Sequence, residues 1–151
     1  MSKKQKIERC ISILLPLFIF AIVFLNLGNR KNSISMNANL YDGIETVKIV
    51  IGIWATLLGF SITAESILIS VRGGELTNLM FSSGHIKTML FSFMITNIIL
   101  FLCLVIFIPV ILKGAWNFEI YRLFVCSISI SFCSLGISLL YFFMILSTVN
   151  N

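Results

Sequence analysis

The chain has 151 residues, 58% of them hydrophobic and 11% charged, with a formal net charge of +5. A soluble domain carries about 25% charged residues, so this composition excludes an ordinary water-soluble fold. The positive balance does not mark a nucleic-acid surface either, because the 11 Lys and Arg residues are spread among the ends of apolar runs and do not gather on one face.

Four apolar runs of about 18 residues or more organise the sequence, each long enough to cross ~30 Å of hydrocarbon. The first, residues 10–27, follows the basic leader Lys3, Lys4, Lys6 and Arg9. It exceeds the core of about 7–15 residues found in signal peptides. The stretch Phe24-Leu25-Asn26-Leu27-Gly28 offers no small-x-small cleavage site, so the run reads as an uncleaved helix, slightly kinked at Pro16. The connection 28–45 is polar, with Asn29, Asn32, Asn37 and Asn39 favouring turns.

The second run, residues 44–71, ends where Arg72-Gly73-Gly74 supplies a charge and two helix-leaving residues. Along it Gly52, Thr56, Gly59, Thr63, Ser66 and Ser70 recur at alternating spacings of four and three, one seam of small residues. Such a seam lets another helix approach closely, and close contact with hydroxyl bonding is what drives association in lipid. Glu65 is the ionisable side chain well inside this run. Ser61 lies four residues before it and Arg72 seven after, so a hydroxyl and a snorkelling guanidinium are its expected local partners. Three roles stay open for it: structural or gating, carrier of a proton or cation, or a lipid-facing residue without function. Trp54 sits deep enough to read as core.

The connection 72–85 differs from the first. Leu76, Leu79 and Met80 fall at i, i+3 and i+4 and Phe81 follows, which predicts a short amphipathic helix at the headgroups. Together with Arg72, Glu75 and His85 it forms the expected docking loop for a partner. His85 reads as a helix-start residue or, alternatively, as a pH sensor.

The third run, residues 86–112, carries Pro109 in its last turn and stops at Lys113-Gly114. Asn97, beside Thr96 near mid-depth, suits interhelical hydrogen bonding better than ligand binding. A short turn, 113–119, flanked by Trp116 and Tyr121, leads to the fourth run at 120–148. Here Ser127, Ser131, Ser134 and Ser138 form one line, and Cys126, Ser129, Cys133 and Gly136 a second beside it. One line serves the bundle and the other a second copy, which predicts a homo-oligomer with the fourth helix near the interface. The alternative is that both are used within one chain. The later helices reach about 40 Å at 1.5 Å per residue, so they tilt or extend past the hydrocarbon.

The expected architecture is a single all-α transmembrane domain over 1–151, an integral four-helix bundle embedded in membrane lipid. With the N-terminus inside, Lys3, Lys4, Lys6, Arg9, Arg72 and Lys87 lie on the inner side, against Arg30, Lys31, Lys48, Lys113 and Arg122 outside. The basic leader tips the orientation to N-in and C-in. Cys10, Cys103, Cys126 and Cys133 have no metal-type spacing and read as packing residues. With one His, no Cys-x-x-Cys, no phosphate-binding glycine loop and no Gly-x-Ser-x-Gly, the sequence predicts no enzyme, cofactor or metal, and no direct contact with nucleic acid.

From Leu58-Gly-Phe-Ser-Ile-Thr-Ala-Glu-Ser-Ile-Leu-Ile-Ser70 through Leu76 and Leu79 to Ser83-Gly-His-Ile-Lys87, the chain resembles small four-helix bacterial membrane proteins found beside phage-defence genes. Among these it is similar to the membrane component of the Kiwa anti-phage system, over roughly residues 50–100. The resemblance implies an oligomeric sensor of phage attack in the inner membrane that recruits a cytosolic DNA-binding effector, here through the loop 72–85. Glu65 departs from the apolar or small residue that this resemblance leads one to expect. Two other classes compete: an oligomeric pore-forming effector and, ranked lower, a small proton-coupled transporter using Glu65. Glu65 lies near one end of its helix and not at the midplane, where coupling sites normally sit.

Overall fold

In the computed structural model the described residues are 3–29, 40–70, 85–114 and 117–149. They form α1 (Lys3–Asn29), α2 (Leu40–Ser70), α3 (His85–Lys113) and α4 (Phe118–Val149). Within them lie four segments long and apolar enough to cross a membrane: Lys6–Gly28, Gly43–Ile67, Ile86–Lys113 and Phe118–Met144. The fold is therefore the all-helical, four-helix arrangement expected, with α1, α3 and α4 reaching beyond their apolar runs at both ends and α2 starting before its own.

Local chemistry sets the ends that differ. Gly114 adopts the left-handed conformation (φ 60°) and its N–H donates to the Ile111 carbonyl at 3.2 Å, closing α3 where Lys113-Gly114 predicts a stop. The fourth helix starts at Phe118, two residues earlier than its apolar pattern suggests. Asn117 is the reason: its Oδ1 accepts the Ile120 N–H at 2.9 Å, satisfying a donor that the first turn leaves orphaned.

The helices alternate in direction. Glu65 meets Asn97 and Trp54 meets Phe107 between α2 and α3, while Ser92 meets Ser138 and Cys103 meets Ser131 between α3 and α4. Between α1 and α4, Tyr141 donates to the Glu8 carbonyl and Arg122 to that of Phe24. Each pairing runs antiparallel, so α3 and α4 pack together, with α2 mainly against α3 and α1 mainly against α4. Outward-pointing Leu14, Phe18, Phe60, Leu112 and Phe143 supply the apolar coat that lipid requires.

Two kinds of packing hold the bundle. Towards the end where α3 turns into α4, Trp54, Phe107 and Phe124 form a buried triangle of rings with centroids 5.7, 6.2 and 5.4 Å apart. Trp54 is thus core, as expected. Towards the other end the contact is polar. Thr96 Oγ1 lies 2.7 Å from Ser134 Oγ and 2.9 Å from Ser138 Oγ, and Ser138 in turn lies 3.0 Å from Ser92 Oγ. Cys103 Sγ continues the line to Ser131 Oγ at 3.6 Å. All these side chains are buried. Hydroxyls are small enough to let the backbones approach, and each can donate and accept, so they satisfy one another without water.

Arg122 ties α1 to the bundle at the far end. Its Nε donates to the Phe24 carbonyl at 3.0 Å, and the guanidinium carbon sits 3.3 Å above the Phe24 ring. A Cβ at Gly28 would lie 3.1 Å from a guanidinium nitrogen, so glycine there permits the close approach. The planar cation faces both a ring and the carbonyl-rich end of a helix.

Thr96→Val is expected to lower stability by about 1–2 kcal/mol in detergent-induced unfolding, since it removes the centre of the hydroxyl line. The outward Thr63→Val should cost much less, and equal losses would show that the line adds nothing. Arg122→Lys keeps the charge but loses the planar stacking, and a drop of about 1 kcal/mol is expected in the same measurement.

Candidate intramembrane polar site

On α2 the residues Val47, Trp54, Ser61 and Glu65 follow one another at spacings of seven, seven and four, which places them on one helical face. Val47, Trp54 and Ser61 are buried against the bundle, and Glu65 continues that face one turn further towards the end of the helix. Glu65 itself is half-buried and turned towards α3. Asn97 on α3 comes opposite, and its Nδ2 donates to Glu65 Oε2 at 3.0 Å.

Of the two local partners expected for Glu65, Ser61 is not one that it takes. Ser61 Oγ is buried without a hydrogen-bond partner among the described residues, and so is Asn97 Oδ1. A cross-helix amide reaches the carboxylate, whereas the Ser61 hydroxyl one turn away on the same helix does not bond to it. Arg72 lies outside the described residues. The result is a carboxylate, a hydroxyl and an amide oxygen between α2 and α3, two of the three groups holding an oxygen with no partner. Burying such oxygens costs about 1–3 kcal/mol each unless something pairs with them.

The remaining sequence-predicted positions are divided by the fold. Ser127, Ser131, Ser134 and Ser138 are buried within the chain, the last three in the hydroxyl line to α3. The adjacent line is mixed: Cys126 is buried, Ser129 bonds the Val125 carbonyl of its own helix, and Gly136 is open. On α2 the whole seam of Gly52, Thr56, Gly59, Thr63, Ser66 and Ser70 lies on the outside of the chain, opposite Trp54. Its hydroxyls fold back on their own helix, Thr56 to the Gly52 carbonyl at 2.9 Å and Thr63 to that of Gly59 at 2.8 Å. A Cβ on Gly52 or Gly59 would meet nothing within 4 Å.

Glu75, Leu76, Leu79, Met80 and Phe81 lie outside the described residues with Arg72, as does Trp116. His85 opens α3. Near the start of the chain a further polar group is present: Glu8 Oε2, Arg9 Nε and Thr88 Oγ1 are buried without partners among the described residues, and the Arg9 guanidinium stacks 5.1 Å from the Phe91 ring centre. The roles of Ser92, Thr96 and Arg122 were missed by sequence reasoning. The signal was present for Thr96, because Thr88, Ser92 and Thr96 follow at spacings of four and place three hydroxyls on one face of a mostly apolar helix.

Comparison with protein families, with curated proteins and with solved structures finds no match to this chain.

Asn97→Leu removes the donor to Glu65 and is expected to destabilise the bundle, and to do so less in a Glu65→Leu background. A double-mutant cycle should give a coupling of about 1 kcal/mol. Additive effects within about 0.3 kcal/mol would mean that the two side chains do not support each other.

Proposed function

We propose that this chain is a non-enzymatic membrane scaffold of the bacterial inner membrane that assembles with copies of itself and recruits a cytosolic effector in antiviral defence. The observation that carries the assembly part is the outward seam of α2. Gly52 through Ser70 spans about 27 Å at 1.5 Å per residue, nearly the thickness of the hydrocarbon. Its hydroxyls are satisfied within the helix, so the surface is small, smooth and free to meet an identical helix closely. Lipid tails cannot follow such a groove as closely as a second backbone can.

This reading takes α2 as the interface in place of α4: the serine line of α4 is used by α3, and the adjacent line of Cys126, Ser129, Cys133 and Gly136 is partly buried, whereas the α2 seam is exposed along its whole length. The defence setting and the cytosolic partner come from the resemblance over residues 50–100. They assign the docking role to the connection carrying Leu76, Leu79 and Phe81, facing the cytoplasm in the N-in orientation.

A second reading rests on the same surface. A ring of α2 helices would turn Thr56, Thr63 and Ser66 towards a shared axis, the arrangement of a pore-forming effector. Conductance across reconstituted bilayers would favour the pore over the scaffold.

Disulfide crosslinking tests the assembly in a background with the native cysteines replaced. Thr63→Cys is expected to give a crosslinked dimer in membranes and Ser131→Cys, turned into α3, is not. The reverse pattern would move the interface back to α4, and no crosslink at either position would count against self-assembly. Substituting Leu76, Leu79 and Phe81 with Ser should at the same time abolish co-purification with the product of a neighbouring gene; retention of that partner would sink the loop as its docking surface.

A further inference from the structure

We infer that the outward face of α1 is a binding groove for one anionic phospholipid, its phosphate on Lys6 and an acyl chain along Cys10, Leu14 and Phe18. The role goes beyond the scaffold reading and stands without it. A single concavity of about 810 Å³ runs along this face, with Lys6, Ile7, Cys10, Leu14, Leu17 and Phe18 in its lining. Its shape follows from side-chain size. Cys10 is the small residue of this face, with Lys6 and Ile7 one turn before it and Leu14 one turn after, so larger neighbours stand up around a hollow. The opposite face is taken by the bundle: Ser12 and Pro16 are buried, the Glu8 carbonyl accepts the Tyr141 hydroxyl, and Arg9 stacks on Phe91. In contrast Ile7, Leu14, Leu17 and Phe18 are between 52% and 64% exposed, and Lys6 and Cys10 are exposed as well.

The walls of the groove fit a lipid and not a second helix. Branched and aromatic side chains hold another backbone at a distance, and helix pairs in membranes rely on small residues for close contact. A flexible acyl chain settles between such walls. The length is that of one leaflet: Lys6 to Phe18 spans about 18 Å at 1.5 Å per residue, close to the ~15 Å that is half of a ~30 Å hydrocarbon core.

Charge selects the headgroup. Lys6 is the first residue of the apolar span, which sets its ammonium at headgroup level. Lys3, Lys4 and Arg9 add three more positive charges to the first nine residues. Glu8 is the one acid in the first 18 residues, and two positions from Lys6 it falls on the far side of the helix, with its Oε2 buried. A basic cluster at the end of a spanning helix attracts anionic lipid, and here the apolar groove gives the chain of that lipid a fixed place.

The test is native mass spectrometry of the full chain released from detergent, titrated with phosphatidylglycerol or with phosphatidylethanolamine of the same acyl chains. The wild type is expected to retain one phosphatidylglycerol, held about fivefold more tightly than phosphatidylethanolamine, the fold-change that one Lys near an anionic surface supplies. Lys6→Gln should remove that preference. Cys10→Phe keeps every charge but fills the hollow, and it should lose the retained lipid. Both positions are exposed, so neither change disturbs the bundle. Lys87→Gln, which alters an exposed cation on α3 at the same end, should behave as the wild type. Equal retention of the two lipids by the wild type would overturn the site, and so would wild-type retention by Cys10→Phe. A loss in Lys87→Gln equal to that in Lys6→Gln would also overturn it, since the preference would then come from diffuse charge. Glycerol 3-phosphate in excess should leave the lipid bound; displacement by it would show that the groove does not hold the chain. Bound lipid is counted per chain in every assembly state that mass resolves, so the scaffold reading can fail separately.

Discussion

Hydrocarbon offers a helix no hydrogen-bond partner and no hydrophobic reason to leave lipid for another helix, and the arrangement of this bundle follows from that constraint. Polar side chains must find one another, and the helices that carry them are brought together by that need. Thr96 is where the constraint is met most fully. One buried hydroxyl touches Ser134 and Ser138 of α4 and the Ser92 carbonyl of its own helix, so the α3–α4 pair is specified by complementary hydroxyls as well as by shape.

The two halves of the bundle solve the packing problem differently. Towards the α3–α4 turn, Trp54, Phe107 and Phe124 fill the interior with rings and Arg122 pins α1 by stacking on Phe24. Among the described residues, no buried side-chain nitrogen or oxygen in that half lacks a partner. Towards the end where the chain begins, the interior passes to hydroxyls, to the Glu65–Asn97 bond, and then to Glu8, Arg9 and Thr88 with their unpartnered atoms. The half with polar oxygens to spare is also the half next to the α2–α3 connection.

Helix α2 has two faces that do opposite things. One presents Val47, Trp54, Ser61 and Glu65 to the bundle, and the other presents glycine, threonine and serine to whatever lies outside. The same rigid element thus carries the Glu65–Asn97 bond to α3 on one side and the outward small-residue seam on the other.

The sequence by itself determined the number of membrane-spanning helices, the stop at Lys113-Gly114 and the core position of Trp54, because run length, helix-breaking glycine and aromatic size act locally. It also displayed both small-residue lines. It could not say which line faces inward, since serine, threonine and glycine are equally compatible with a neighbouring helix and with lipid. Only the tertiary structure decided that the α4 serines meet Ser92, Thr96 and Cys103 while the α2 seam is left outside. The same holds for Glu65. Its sequence neighbours suggested Ser61 and Arg72, but among the described residues the partner is Asn97, 32 residues away. A hydrogen bond between helices depends on how two helices are rotated and registered against each other, and that is a property of the packed bundle and not of any segment within it.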